Sequence, residues 1–176
     1  MFPYNKINIA VPNWREVLTG LGIQVIQSKS QFLEVMLEPN TILVTKCTMN
    51  KNQIEQGTPK ELYIDYGKGD FERMVKFAEK ESYFYGVLSG KGKGILFEDA
   101  IIPYYDQNPN KYTDEEYMEI NSLIESKCKE RGIKNIVIYG RSIALAVRVI
   151  RWTSTVKDIK IYYTTRLYST NPLFLF

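Results

Sequence analysis

The chemistry open to this chain is bounded first by a missing residue type: its 176 residues include no histidine. That removes the commonest general base, the usual base of a nucleophilic triad and the commonest transition-metal ligand. Two chemistries stay open. Asp65 precedes a glycine turn in LYIDYGKG, Glu98 and Asp99 follow an apolar run, and Asp158 opens the last one. Carboxylates that converge on two ions about 4 Å apart support metal-assisted phosphoryl transfer; these stand at no diagnostic spacing. The other chemistry is cationic. Arg141 and Arg148 are seven residues apart and Arg151 three further, so a helix of about 3.6 residues per turn projects all three from one side. Lys91 and Lys93 alternate with glycine in SGKGKG, residues 89–94, where the backbone can approach an anion closely. The P-loop pattern is not met, because no glycine lies five residues before a Gly-Lys-Ser/Thr. A plain flexible turn is the competing reading.

These residues need elements to hold them. WREVLTG reads as a short helix opened by an Asn13–Glu16 capping box, IQVIQ as a strand, SQFLEVMLE as a helix and TILVTK as a strand. The polar residues 50–60, with Gly57 and Pro59, read as a loop and the best boundary. KELYIDYGKGD reads as a strand running into a turn, FERMVKFAEKE as a helix, YFYGVLS as a strand and ILFEDAIIPYY as one more. Residues 106–111, DQNPNK, fall in a loop. Thr113 and Glu116 form a second capping box, after which Tyr117, Ile120, Leu123, Ile124 and Cys128 keep helical spacing up to a stop at Gly132. Residues 133–139 read as a buried strand, 142–152 as a helix, and 158–164 as a strand alternating Ile159, Ile161 and Tyr163 against Lys160 and Tyr162. Strand, helix, strand makes a right-handed βαβ unit.

Charge divides along the chain. Residues 1–125 hold 13 basic and 18 acidic side chains, a balance of −5, and residues 126–176 hold 10 and 2, a balance of +8. A cationic unit on a mildly acidic body points to a polyanionic partner. Cys47 and Cys128 are too far apart for a clustered zinc site and read as free thiols in a reducing compartment. No apolar run reaches the roughly 20 residues of a membrane-spanning helix, and the first residues lack the pattern of an export or transit signal. Abundant Ile, Asn, Lys and Tyr have AT-rich codons, as in an organelle genome.

The run KERGIKNIVIY, a Gly-Arg loop, ALAVRVI and then DIKIYYTTRLYSTNP resembles the C-terminal half of the small-subunit ribosomal protein S-eleven family. Gly132, Ile133 and Lys134 match its Gly-Ile-Lys strand, Gly140 and Arg141 its loop, Ala146, Val147 and Arg148 its helix, and Asn171 its tail. KELYIDYGKGD and SGKGKG match its upstream strand-and-turn elements loosely. Two features depart from the family: the glycine-rich loop is shortened, and NPLFLF replaces a basic tail. The resemblance implies a structural constituent of the small ribosomal subunit, of mitochondrial or other organelle type, that binds ribosomal RNA on the platform near the messenger-RNA exit.

The expected fold is α/β, a mixed sheet with a C-terminal βαβ unit and flanking helices in a ribonuclease-H-like three-layer arrangement. Residues 1–40 are expected as an N-terminal extension and 41–176 as the RNA-binding domain. The expected RNA contacts are Lys91, Lys93, Lys134, Arg141, Arg148, Arg151, Arg166 and Asn171. No catalytic residue, metal or cofactor and no membrane association is expected. Neighbouring small-subunit proteins are the expected partners of the apolar tail, residues 173–176. The alternative is a metal-dependent nuclease or phosphotransferase, which requires Asp65, Asp99 and Asp158 to converge.

Overall fold

Strands that are apolar at consecutive positions are covered on both faces, and three such runs occupy the middle of one sheet. They are β2 (Thr41–Lys46), β7 (Asn135–Tyr139) and β8 (Lys160–Thr164). The computed structural model describes residues 14–48, 50–90, 93–106, 112–142, 151–153 and 155–171. With β1 (Gln24–Val25), β4 (Tyr85–Ser89) and β5 (Gly94–Phe97), the strands form a six-stranded sheet in the order β1-β8-β7-β2-β4-β5. All neighbours run parallel except β4 and β5, an antiparallel hairpin. Leu43 of β2 stands opposite Val137 of β7 and Tyr85 of β4. A separate antiparallel pair, β3 (Gln56–Gly57) and β6 (Ile102–Pro103), ties the connection after β2 to the connection after β5.

Helices cover both faces, giving a three-layer α/β fold. On one side α1 (Trp14–Gly20) and α5 (Asp114–Glu130) pack on the sheet with Trp152; their buried residues include Leu18, Ile120, Ile124 and Cys128, against Ile42, Ile136 and Ile161. On the other side lie α2 (Lys29–Leu37), α3 (Pro59–Leu62) and α4 (Asp70–Glu81), which bury Phe32, Leu62, Phe71, Met74 and Phe77 against Leu43, Val87, Val137 and Tyr162. Helix α5 begins at the Thr113–Glu116 capping box: Thr113 N–H donates to Glu116 Oε2 at 2.9 Å and Glu116 N–H to Thr113 Oγ1 at 3.2 Å. Its interior Asn121 donates to the Arg151 carbonyl at 2.9 Å and accepts from Thr155 N–H at 2.8 Å, which binds the chain before β8 to this helix.

Three local expectations need correction. Residues 59–62, expected as the end of a loop running into a strand, are helical, because Thr58 and Glu61 form a capping box with Pro59 in the first turn, where a missing N–H costs nothing. ILFEDAIIPYY splits into β5 and β6 in different sheets. In β8 Lys160 is exposed as the alternation predicts, but Tyr162 is as buried as Ile161 and Tyr163, because helices cover both faces of the strand beyond its first residue. Residues 14–40 supply an edge strand and two helices, and both apolar clusters include their side chains. The Asn13 cap, residues 107–111 of the loop expected at 106–111, residues 143–150 of the helix expected at 142–152 and the tail at 173–176 lie outside the described residues.

Candidate anion-binding site

In parallel sheets the loops that follow the strands gather at their carboxyl ends, where neighbouring crossovers leave in opposite directions. Here β2 leads through α4 to β4 on one side, and β7 leads to β8 on the other. The loop after β2 brings Lys51 opposite Tyr63 in an isolated antiparallel bridge. Asn52 holds that loop on α3, its N–H donating to the Leu62 carbonyl at 2.8 Å and its side chain to the Glu61 carbonyl at 2.7 Å. Tyr105 is delivered by the β3–β6 pair, where Tyr104 N–H donates to the Glu55 carbonyl at 2.9 Å. Ser89 ends β4, and Lys93 follows the turn that closes on the Gly90 carbonyl at 3.1 Å.

These elements build a compact centre. The hydroxyls of Tyr63 and Tyr105 are hydrogen-bonded to each other, Ser89 Oγ lies 2.8 Å from the Tyr105 hydroxyl and 3.4 Å from that of Tyr63. Around this triad Lys51 Nζ stands 4.5 Å and Lys93 Nζ 4.2 Å from the centroid of the same Tyr105 ring, within cation–π range. Burial, then the charge of Lys51, pull the Lys93 pKa down. Burial pushes the Tyr105 phenol up to about 12 and raises Tyr63 and the Cys47 thiol as well. The hydroxyls therefore stay protonated donors beside two ammonium groups. Lys127 adds positive charge close by, although its ammonium is used to cap the exposed edge of β5, donating to the Lys93 carbonyl at 2.5 Å and the Ile95 carbonyl at 3.2 Å. Among the described residues no carboxylate lies within ion-pair distance of Lys93 or Lys127.

The residues singled out from the sequence do not share this place. Lys93 belongs to it. Arg141 sits at the same end of the sheet but is turned onto α4: Nε donates to Asp70 Oδ1 at 2.5 Å, the backbone N–H to Asp70 Oδ2 at 3.2 Å and Nη2 to the Lys68 carbonyl at 2.6 Å. Arg151 lies on the opposite face, its guanidinium 5.8 Å from the centroid of Tyr117 on α5. Arg141 and Arg151 thus do not form one stripe, because Arg141 stands before the helix and bonds to the other layer. Arg148 and Lys91 lie outside the described residues. Lys134 is exposed at the amino end of β7, where its carbonyl accepts from Lys160 N–H at 2.9 Å. Arg166 is exposed just beyond β8, and Asn171 lies beside Ser169, whose hydroxyl donates to Glu81 at the end of α4. Lys51, Tyr63 and Tyr105 carry no spacing motif; the chain pairing that unites them is long-range.

The carboxylates of the hydrolytic alternative separate. Asp99 is held by Arg131, with Nη2 at 2.9 and 3.0 Å from its two oxygens, and Asp158 faces Lys129 at 3.8 Å. Asp65 is at the other end, accepting from Glu72 N–H at 3.2 Å. No group of three metal-ligating side chains converges among the described residues, and none of their helices is long and apolar enough to cross a membrane. No family model matches the chain, and no curated protein or solved structure matches it.

Proposed function

We propose that the protein binds RNA through phosphate contacts at the carboxyl ends of β2 and β4, as a structural constituent of a ribonucleoprotein particle. One observation carries this reading: two lysine ammonium groups, delivered by separate loops, converge on the single ring of Tyr105. Holding like charges together in a half-buried place is unfavourable, and an anion seated between them relieves the repulsion. Lysine acts on phosphate as a point charge with three donors, and the cationic balance of residues 126–176 supplies the long-range attraction. The narrowest form of the proposal is the small ribosomal subunit. Its support is the sequence resemblance around Gly132–Lys134, Gly140 and Arg141, together with the parallel pairing of β7 and β8.

The test is a salt titration of RNA binding by the whole chain, read by fluorescence anisotropy. Each lost phosphate contact lowers the slope of log affinity against log salt by about 0.7 on single strands. Lys51→Gln with Lys93→Gln is expected to lower both affinity and slope. An unchanged slope overturns the site; failure to co-sediment with small ribosomal subunits overturns the narrow form alone.

A further inference from the structure

Directly after Tyr63 and Ile64 in the chain, the loop from Asp65 to Asp70 displays a residue that its backbone disfavours. Lys68 N–H donates to the Asp65 carbonyl at 3.1 Å, closing a four-residue turn, and its two central residues both have positive φ, Tyr66 at 56° and Gly67 at 71°. Turns of this kind select Asn-Gly or Gly-Gly, because a Cβ at positive φ crowds the following carbonyl. Gly67 fits; Tyr66 does not. Its side chain is 71% exposed and makes no hydrogen bond or ring contact among the described residues, so packing offers no compensation.

The strain is held in place from several directions. Asp65 N–H donates to Glu72 Oε1 at 3.1 Å, Glu72 N–H returns a bond to Asp65 Oδ2, and Arg141 grips the Lys68 carbonyl. A side chain at Gly69 would run into the Asp65 carboxylate, so the turn closes tightly on α4. The loop also belongs to the anion site's neighbourhood: Ile64, two residues before Tyr66, donates to the carbonyl of Asn50, next to Lys51. Exposed Lys68 follows on the same turn. An observed backbone outlier of a bulky residue on a pinned loop is a signature of a functional constraint.

We infer that Tyr66 is a stacking platform for an unpaired base, and that the RNA taken by the lysine pair is single-stranded. The inference rests on the RNA-binding reading above and adds the ligand's form to it. Bases in a duplex are stacked on each other and withhold their faces, whereas unpaired bases stack readily on exposed aromatic rings. Lys68 then lies beside the phosphate of the stacked nucleotide, and Lys51 and Lys93 take phosphates further along.

The experiment compares a fluorescein-labelled single-stranded RNA of mixed uridine and adenosine with the duplex of the same sequence, on wild type, Tyr66→Phe, Tyr66→Asn and the Lys51→Gln/Lys93→Gln double variant. Wild type and Tyr66→Phe are expected to prefer the single strand. Tyr66→Asn is expected to lose about tenfold on the single strand, with duplex affinity and salt slope unchanged. The same variant should melt about 2–4 °C higher, since asparagine suits the turn. A residue kept for structure would show the reverse, losing stability and leaving the single-strand preference intact. Lysine-dependent binding that is indifferent to Tyr66 and to strand number overturns the platform and leaves the RNA reading standing. Binding that ignores the lysines, or no binding to either RNA, overturns both.

Discussion

At the amino end of the parallel strands two cations are paired with carboxylates: Arg131 grips Asp99, and Lys129 bonds to Glu125 at 2.7 Å and faces Asp158; Glu81 there accepts from Ser169 and Thr170. At the carboxyl end Lys51 and Lys93 lie against an aromatic ring and three hydroxyls instead. Both ends hold lysines and arginines, so charge count does not separate them. What separates them is Lys93: Lys129 and Arg131 are paired with carboxylates, whereas among the described residues no carboxylate lies within ion-pair distance of Lys93. An end that is internally neutralised stabilises the chain modestly, as exposed ion pairs do. At Lys93 the nearby charge of Lys51 is unfavourable, and a bound anion would relieve it.

Both ends belong to one sheet to which residues 14–40 contribute an edge strand, and the largest expected effect tests how firmly that segment is built in. Phe32 is fully buried and meets the rings of Phe77 at 5.9 Å and Tyr168 at 5.5 Å. Phe32→Ala should cost about 3–5 kcal/mol in urea unfolding. A change near zero would mean that this segment is a detachable extension and that α4 is stable without it.

Next in size is the contrast between ends in RNA binding. The Lys51→Gln/Lys93→Gln variant is expected to lower the salt slope by about 1.4, two single-strand contacts' worth. Lys129→Gln with Arg131→Gln, at the amino end, should leave it where it was. Equal losses from both pairs would show a diffuse cationic surface and dissolve the distinction.

A pH titration sharpens the same contrast more gently. Burial and Lys51 depress the Lys93 pKa below the ordinary lysine value of 10.5. Binding needs the ammonium form, so affinity is present below the depressed value and is lost as pH rises through it, before exposed lysines titrate. Stability runs the other way: between the depressed and ordinary values the unfolded chain binds more protons, so folding becomes more favourable as pH rises. Lys93→Arg should move the loss of binding to higher pH. An identical profile for the arginine variant would remove Lys93 from the site.

The contrast also marks what could be read from the sequence. Helix α5 was legible because a capping box and the spacing of Tyr117, Ile120, Ile124 and Cys128 are local facts. Strand β7 was legible from its continuous apolar run and β8 from an alternation that burial of Tyr162 then modified, and their parallel pairing followed from the strand-helix-strand order. Lys93 was visible as a cation among glycines. Lys51 and Tyr105 were not, since they reach the site only through the Lys51–Tyr63 bridge and the β3–β6 pair, which link positions far apart in the chain. The Thr58-Pro59-Lys60-Glu61 signature of α3 was present in the sequence, but the polar, glycine-containing surroundings favoured a loop. Helical spacing placed Arg141 with Arg148 and Arg151, yet spacing carries no information about a carboxylate supplied by α4.

Arg141 carries the smallest and most discriminating expectation. If Arg141 gripped a phosphate, Arg141→Gln would lower the salt slope by about 0.7. In the folded chain its guanidinium bonds instead to Asp70 and the Lys68 carbonyl, so its charge is largely cancelled before RNA arrives. Because the pair is partly exposed, with 42% of the Arg141 side chain accessible, its loss should cost below about 1 kcal/mol of stability. The salt slope should stay unchanged. Single-strand affinity should fall slightly through a looser Tyr66 loop, and Asp70→Asn should reproduce that fall, since either change breaks the same bond. A fall in slope with Arg141→Gln that Asp70→Asn does not share would return Arg141 to the RNA surface and make the carboxyl end a broader contact than the lysine pair alone.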